Sequence, residues 1–149
     1  MLFEGLHGPG IVSALVFLFI THLMAPSLTA GDPDPRTLEE CDAHRSACTA
    51  SLPGARVTLD IRPKPVRAMK DLTFVLEVSG KRPTSEPWID LGMPGMDMGP
   101  NRVAPQALGD GRYKGRGIVV KCPGGKRTWY AQVTLPGIGV VVFLFDVRY

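Results

Sequence analysis

Thr128-Trp129-Tyr130-Ala131-Gln132-Val133-Thr134-Leu135 alternates strictly between two kinds of side chain. Trp129, Ala131, Val133 and Leu135 fall on one side of an extended chain. Thr128, Tyr130, Gln132 and Thr134 fall on the other. A period of two marks a strand with one buried face. Val140 to Val147 repeats the pattern, with Val141, Phe143, Phe145 and Val147 on one face. Its other face, Val140, Val142 and Leu144, is apolar too, so this strand is expected to be central in its sheet or covered by a Cys-bearing helix at residues 38–51.

Five more strand signals precede these two. Val57, Leu59 and Ile61 alternate with Thr58, Asp60 and Arg62 until Pro63-Lys64-Pro65 ends the run. Leu72 to Val78 follows and closes at Ser79-Gly80, and Trp88-Ile89-Asp90-Leu91 makes a short third strand. Arg102 to Leu108 is interrupted by Pro105, which belongs at a sheet edge because it has no N–H to donate. Arg112 to Val120 comes next, behind the turn signal Gly109-Asp110-Gly111. Seven short strands with Gly, Pro and Asp between them predict an all-β, antiparallel β-sandwich over residues 56–149.

Residues 31–55 read differently. Gly31-Asp32-Pro33-Asp34-Pro35 is a Pro-rich linker. Thr37 then suits an N-cap, with Glu39 and Glu40 in a first turn where the helix dipole favours acids. This predicts a short helix from Leu38 to Ser51, stopped by Pro53-Gly54 and carrying Cys41 and Cys48.

Ile11 to Ile20 is an apolar run broken only by Ser13. Small and polar residues follow up to Ala30, with Pro26 on the way. This is the pattern of a signal peptide, although only Glu4 and His7 precede the run where a basic start is usual. The rival is a membrane anchor, for which about 20 apolar residues are needed. Either reading of residues 1–30 predicts an extracytoplasmic or periplasmic domain, with residues 11–30 a possible membrane tether.

The chain has 149 residues, 17 Lys and Arg against 14 Asp and Glu, and a net charge of +3. Lys64, Arg67, Lys70, Arg112, Lys114, Arg116, Lys121, Lys126 and Arg127 alternate with strand residues. That spread predicts solvated faces and no nucleic-acid footprint. Weak attraction to an anionic membrane surface is the one wider consequence of the basic excess.

Two constellations carry chemistry. Met93, Met96 and Met98 surround Pro94-Gly95 and Asp97, and three neutral thioethers suit Cu(I) in preference to Zn, Ca or Mg. Against this stands the packing use of flexible Met side chains to fill irregular gaps. The second constellation is Cys41, Cys48 and Cys122. On an intact helix Cys41 and Cys48 stand about 10 Å apart, beyond the roughly 7 Å a disulfide spans between Cα atoms. Cys48–Cys122, or else Cys41–Cys122, is then the expected staple, contributing about 3 to 4.5 kcal/mol by chain-entropy reasoning. The odd cysteine would pair with another chain, stay buried or join a thiolate copper site. His44 lies three residues from Cys41 and four from Cys48, so a Cys-His-Cys clasp is conceivable and a solvent-facing histidine is the simpler reading. No Ser-His-Asp set or Cys-x-x-Cys spacing is present, so no catalytic residues are assigned and the chain is not read as an enzyme.

Ile61-Arg62-Pro63-Lys64-Pro65, Met93-Pro94-Gly95-Met96-Asp97-Met98, Gly109 to Gly115 and Gly125-Lys126-Arg127-Thr128-Trp129 occur in an order that resembles the periplasmic YtkA-like and FixH-like domains. The resemblance spans about Val57 to Val147. It implies an immunoglobulin-like sandwich and a role near copper delivery or haem–copper oxidase assembly, often from a membrane-tethered position. Cys41, Cys48 and Cys122 depart from that pattern. So does the histidine content compared with the related CopC-type carriers, since His44 is the only histidine after residue 30. Two functions follow as expectations. One is a copper-handling accessory domain binding Cu(I) through Met93, Met96 and Met98 and handing it to an envelope or membrane protein. The other is an interaction module without metal, docking through a sheet edge or through the Met loop.

Overall fold

The computed structural model describes residues 36–149. The expectations for residues 1–30, signal or anchor, and for the linker at 31–35 lie outside the described residues. Ten strands form: β1 (Arg36–Glu40), β2 (Cys48–Leu52), β3 (Ala55–Arg62), β4 (Leu72–Gly80), β5 (Trp88–Gly92), β6 (Arg102–Val103), β7 (Gln106–Gly109), β8 (Arg112–Gly117), β9 (Thr128–Leu135) and β10 (Gly139–Asp146). They make two five-stranded sheets, ordered β1-β10-β9-β5-β6 and β2-β3-β4-β8-β7. All pairings between these strands are antiparallel except β1 on β10, which is parallel, with Arg36 opposite Val140 and Glu40 opposite Leu144.

The alternation written in each strand decides which face is buried. Val57, Leu59 and Ile61 of β3, Leu72, Phe74, Leu76 and Val78 of β4, Trp129, Ala131, Val133 and Leu135 of β9, and Val141, Phe143 and Phe145 of β10 belong to one common core. Both sheets therefore turn one apolar face toward the same interior, where burial contributes roughly 25 cal/mol per Å² of apolar surface. β10 lies between β1 and β9, an interior position in its sheet that suits its two apolar faces, and no helix among the described residues covers it.

Three features differ from the sequence reading. No helix spans Leu38 to Ser51: the segment holds β1, a turn and β2. Its own side chains explain the outcome. Cys48, Ala50 and Leu52 are buried while Thr49 and Ser51 are exposed, a period of two that the acids at Glu39 and Glu40 do not override. Between the strands Asp42 acts as a turn residue. Its carbonyl accepts from Arg45 N at 3.1 Å and Ser46 N at 3.2 Å, and its Oδ1 accepts from His44 N at 3.0 Å. The sheets accordingly begin at Arg36, well before the boundary expected at Arg56.

The strand expected from Arg102 to Leu108 is two edge strands. β6 pairs with β5 in one sheet and β7 with β8 in the other, so the chain changes sheets at Ala104-Pro105. Proline ends one ladder without leaving an N–H unpaired. The crossing runs close over β8: a Cβ on Gly115 would collide with Val103 Cγ1 and lie 3.1 Å from Pro105 Cα. Finally, β8 stops at Gly117, and residues 118–121 continue as an irregular segment.

Strand register defines two ends. β3, β5, β8 and β10 finish, and β4 and β9 start, at the end that carries residues 41–47, 63–71, 93–101, 118–127 and 147–149. Hydrogen bonds join these segments side by side. Ala68 N donates to Arg148 O (2.9 Å), Met69 N to Val119 O (2.8 Å), Arg148 N to Val66 O (2.9 Å) and Val147 N to Arg127 O (3.0 Å).

Candidate metal centre

All the sequence-derived site residues lie at this end, but not in the grouping their spacing suggested. β5 runs directly into the Met loop. Pro94-Gly95 makes the corner, with Gly95 at φ +72°, and Met96 N donates to Met93 O at 3.1 Å. The tight turn is what Pro followed by Gly favours. It sends the three methionines to different surroundings. Met93 is 1 % exposed and belongs to the core, Met96 is 37 % exposed, and Met98 is half-buried against the core's edge. Asp97 turns back on its own loop, its Oδ1 accepting from Gly99 N at 3.0 Å.

Met96 meets a partner from elsewhere in the chain. Cys122 Sγ lies 3.9 Å from Met96 Sδ. Cys122 is a free thiol, only 2 % exposed, and so is not the staple expected for it. Its position is held from both sides. Cys122 O accepts from Gly125 N (3.0 Å), where Gly125 takes a φ of +76°, closing a Cys-Pro-Gly-Gly turn. Cys122 N donates to Tyr149 Oη at 3.3 Å, and that hydroxyl in turn donates to Lys126 O. Lys121 Nζ and the Arg127 guanidinium lie 5.4 and 5.6 Å from the centre of the Tyr149 ring. Tyr149 carries no motif in the sequence, and its part is seen only where the end of the chain meets the turn at Cys122.

The disulfide joins Cys41 to Cys48, with Cα atoms 5.7 Å apart. The spacing argument that excluded this pair assumed a helix, and the two short strands with a turn between them remove its premise. A Cys-His-Cys clasp is likewise absent, because both thiols are consumed in the bond. His44 instead accepts from Val66 N through Nδ1 at 3.1 Å. Lys64 completes the attachment of this loop, donating to Ala43 O (2.8 Å) and Ser46 O (3.0 Å).

A shallow groove of about 600 Å³ lies beside the disulfide, lined by Glu40, Asp42, His44 and Asp146 among others. Two of its carboxylates have local partners: Asp146 Oδ1 accepts from Thr128 Oγ1 at 2.9 Å, and Asp42 Oδ1 from His44 N. Among the described residues no three His, Cys, Asp or Glu side chains converge as a metal-binding group. Among the described residues no helix is long and apolar enough to cross a membrane. A disulfide is compatible with an oxidising, extracytoplasmic compartment. No protein-family model and no curated protein matches this chain.

Proposed function

We propose that this chain is a non-catalytic, extracytoplasmic domain of immunoglobulin-like sandwich form that binds Cu(I) through Met96 and Cys122. The observation that carries the reading is the 3.9 Å approach of Cys122 Sγ to Met96 Sδ. Two sulfurs each about 2.3 Å from one ion and about 120° apart would stand about 4.0 Å from each other, taking the zinc–thiolate bond length as the yardstick. The observed spacing thus suits two corners of a trigonal site. A thiolate beside a thioether is a soft donor pair, selective for Cu(I) over Zn, Ca and Mg. Met98, on the same loop, is the candidate third donor, and exposure of Met96 leaves a side open for an incoming ligand. Met93 serves instead as the core anchor that fixes the loop. The likeness to YtkA-like and FixH-like domains supports the same reading, with an envelope or membrane protein as the exchange partner.

A Cu(I) titration in competition with a calibrated chelator tests it. One equivalent should bind, with the affinity falling at least about tenfold in Met96→Leu and Cys122→Ser, each ligand loss being worth about 1.4 kcal/mol or more. Met93→Leu should bind as the parent does. Unchanged affinity in Cys122→Ser would remove copper from the account and favour the interaction module, for which the partly exposed Met96 is an apolar contact.

A further inference from the structure

Six basic residues that are far apart in the sequence lie together on the segments at the Cys122 end of the domain. Arg67 and Arg148 stand opposite one another in a parallel bridge. Lys121 and Arg127 flank Tyr149, the residue after Arg148. Lys126 and Lys70 complete the set, Lys70 following Met69, whose N–H reaches Val119. All six cations are exposed. The ion pairs among the described residues involve Arg62, Lys64, Arg102 and Arg112, and none of these six. Exposed apolar side chains share the same segments: Met69, Ile118 and Val120 are 64, 43 and 38 % exposed. Ile118 and Val120 point outward because Val119 between them points into the core.

We infer that this end of the domain, formed by residues 66–70, 118–127 and 147–149, docks on an anionic phospholipid surface. The combination is what such a surface selects. Cations without carboxylate partners attract the headgroup phosphates, while short apolar side chains among them enter the headgroup–acyl boundary. The long Lys and Arg stems reach back to the phosphates as the apolar tips sink. An acidic surface would satisfy the charges alone, whereas a phospholipid surface also takes up the three exposed apolar tips. The inference does not depend on copper.

Hydrogen–deuterium exchange of the full chain with vesicles tests it segment by segment. Phosphatidylglycerol–phosphatidylcholine vesicles should slow exchange in residues 66–70 and 118–127 by about fivefold or more, and high salt should relieve this. Pure phosphatidylcholine should leave these segments unchanged, and the turns at 53–54 and 136–138 should be unaffected throughout. Comparing segments separates docking from any insertion by the apolar run at 11–20. Arg67→Gln/Lys121→Gln/Arg127→Gln/Arg148→Gln should abolish the protection. Met69→Asn/Ile118→Thr/Val120→Thr, which keeps every charge, should reduce it severalfold. Equal protection by both vesicle types, none by either, or equal protection by soluble polyglutamate would overturn the inference; the last would assign this end to an acidic protein.

Discussion

Lys64 Nζ stands 2.9 Å from Asp60 Oδ1 while donating to the carbonyls of Ala43 and Ser46, so one ammonium ties the end of β3 to the disulfide loop. Replacing it by Lys64→Met keeps the stem and removes the ties. A loss of about 1–3 kcal/mol is expected, in the range for hydrogen bonds to charged groups. Urea unfolding monitored by tryptophan fluorescence measures it.

The same contact gives a pH dependence. Burial raises the Asp60 carboxyl, but hydrogen bonds and charges from Lys64 and Arg62 outweigh this and hold it below the ordinary carboxylate range. A carboxyl depressed in the folded state contributes stability above its unfolded value, near 3.9, and loses it as pH falls through the lower folded value. The parent should therefore lose stability on acidification below about pH 5, and Lys64→Met should lose less over the same interval. Melting temperatures across that range show the difference in slope.

The Cys41–Cys48 bond closes a short loop. Chain-entropy reasoning gives about 2.5 kcal/mol for a loop of this length, below the range for a bond to Cys122. Cys41→Ala/Cys48→Ala should fold with stability reduced by about that amount. Peptide mapping without reduction should recover Cys41 linked to Cys48. Iodoacetamide should modify Cys122 only after denaturation.

Met93 and Met96 should separate in stability. Truncating the buried side chain in Met93→Ala is expected to cost about 2–4 kcal/mol. Met96→Ala should cost well under about 1 kcal/mol, since its side chain is partly exposed. Thermal melts of the two variants, without metal, make the comparison.

Gly115 is required by closeness and not by backbone angle. A methyl group there would meet Val103 and Pro105 where the chain passes between sheets. Gly115→Ala should destabilise by about 1–3 kcal/mol through overpacking. If chemical denaturation shows no loss, the crossing at Ala104-Pro105 is looser than described.

Alternation made most of the fold legible. The strands around Val57, Phe74, Trp129 and Phe143 appear where their period of two places them, because each must bury one face. The region from Arg36 to Leu52 was misread because Thr37, Glu39 and Glu40 also suit a helix start. The competing pattern in Cys48, Ala50 and Leu52 is only three residues deep, and pairing with β3 and β10 decides between them. The loop methionines were legible as sulfur donors, but their grouping was not. Which of them meets Cys122 depends on a turn that buries Met93 and on residues 26 positions away. The basic end was hidden for a similar reason: Arg67 and Arg148 become neighbours only through a bridge between distant segments.

The parallel pairing of β1 with β10 gives the domain a polarity. Arg36 sits beside Val140, at the pole opposite Cys122, whereas Tyr149 lies against Cys122 itself. A reporter or immobilising tag joined directly to Arg36 will leave the sulfur pair and the basic end facing away from the support. The same tag joined after Tyr149 will crowd both. The orientation of any assay surface is thus set by which terminus carries the handle.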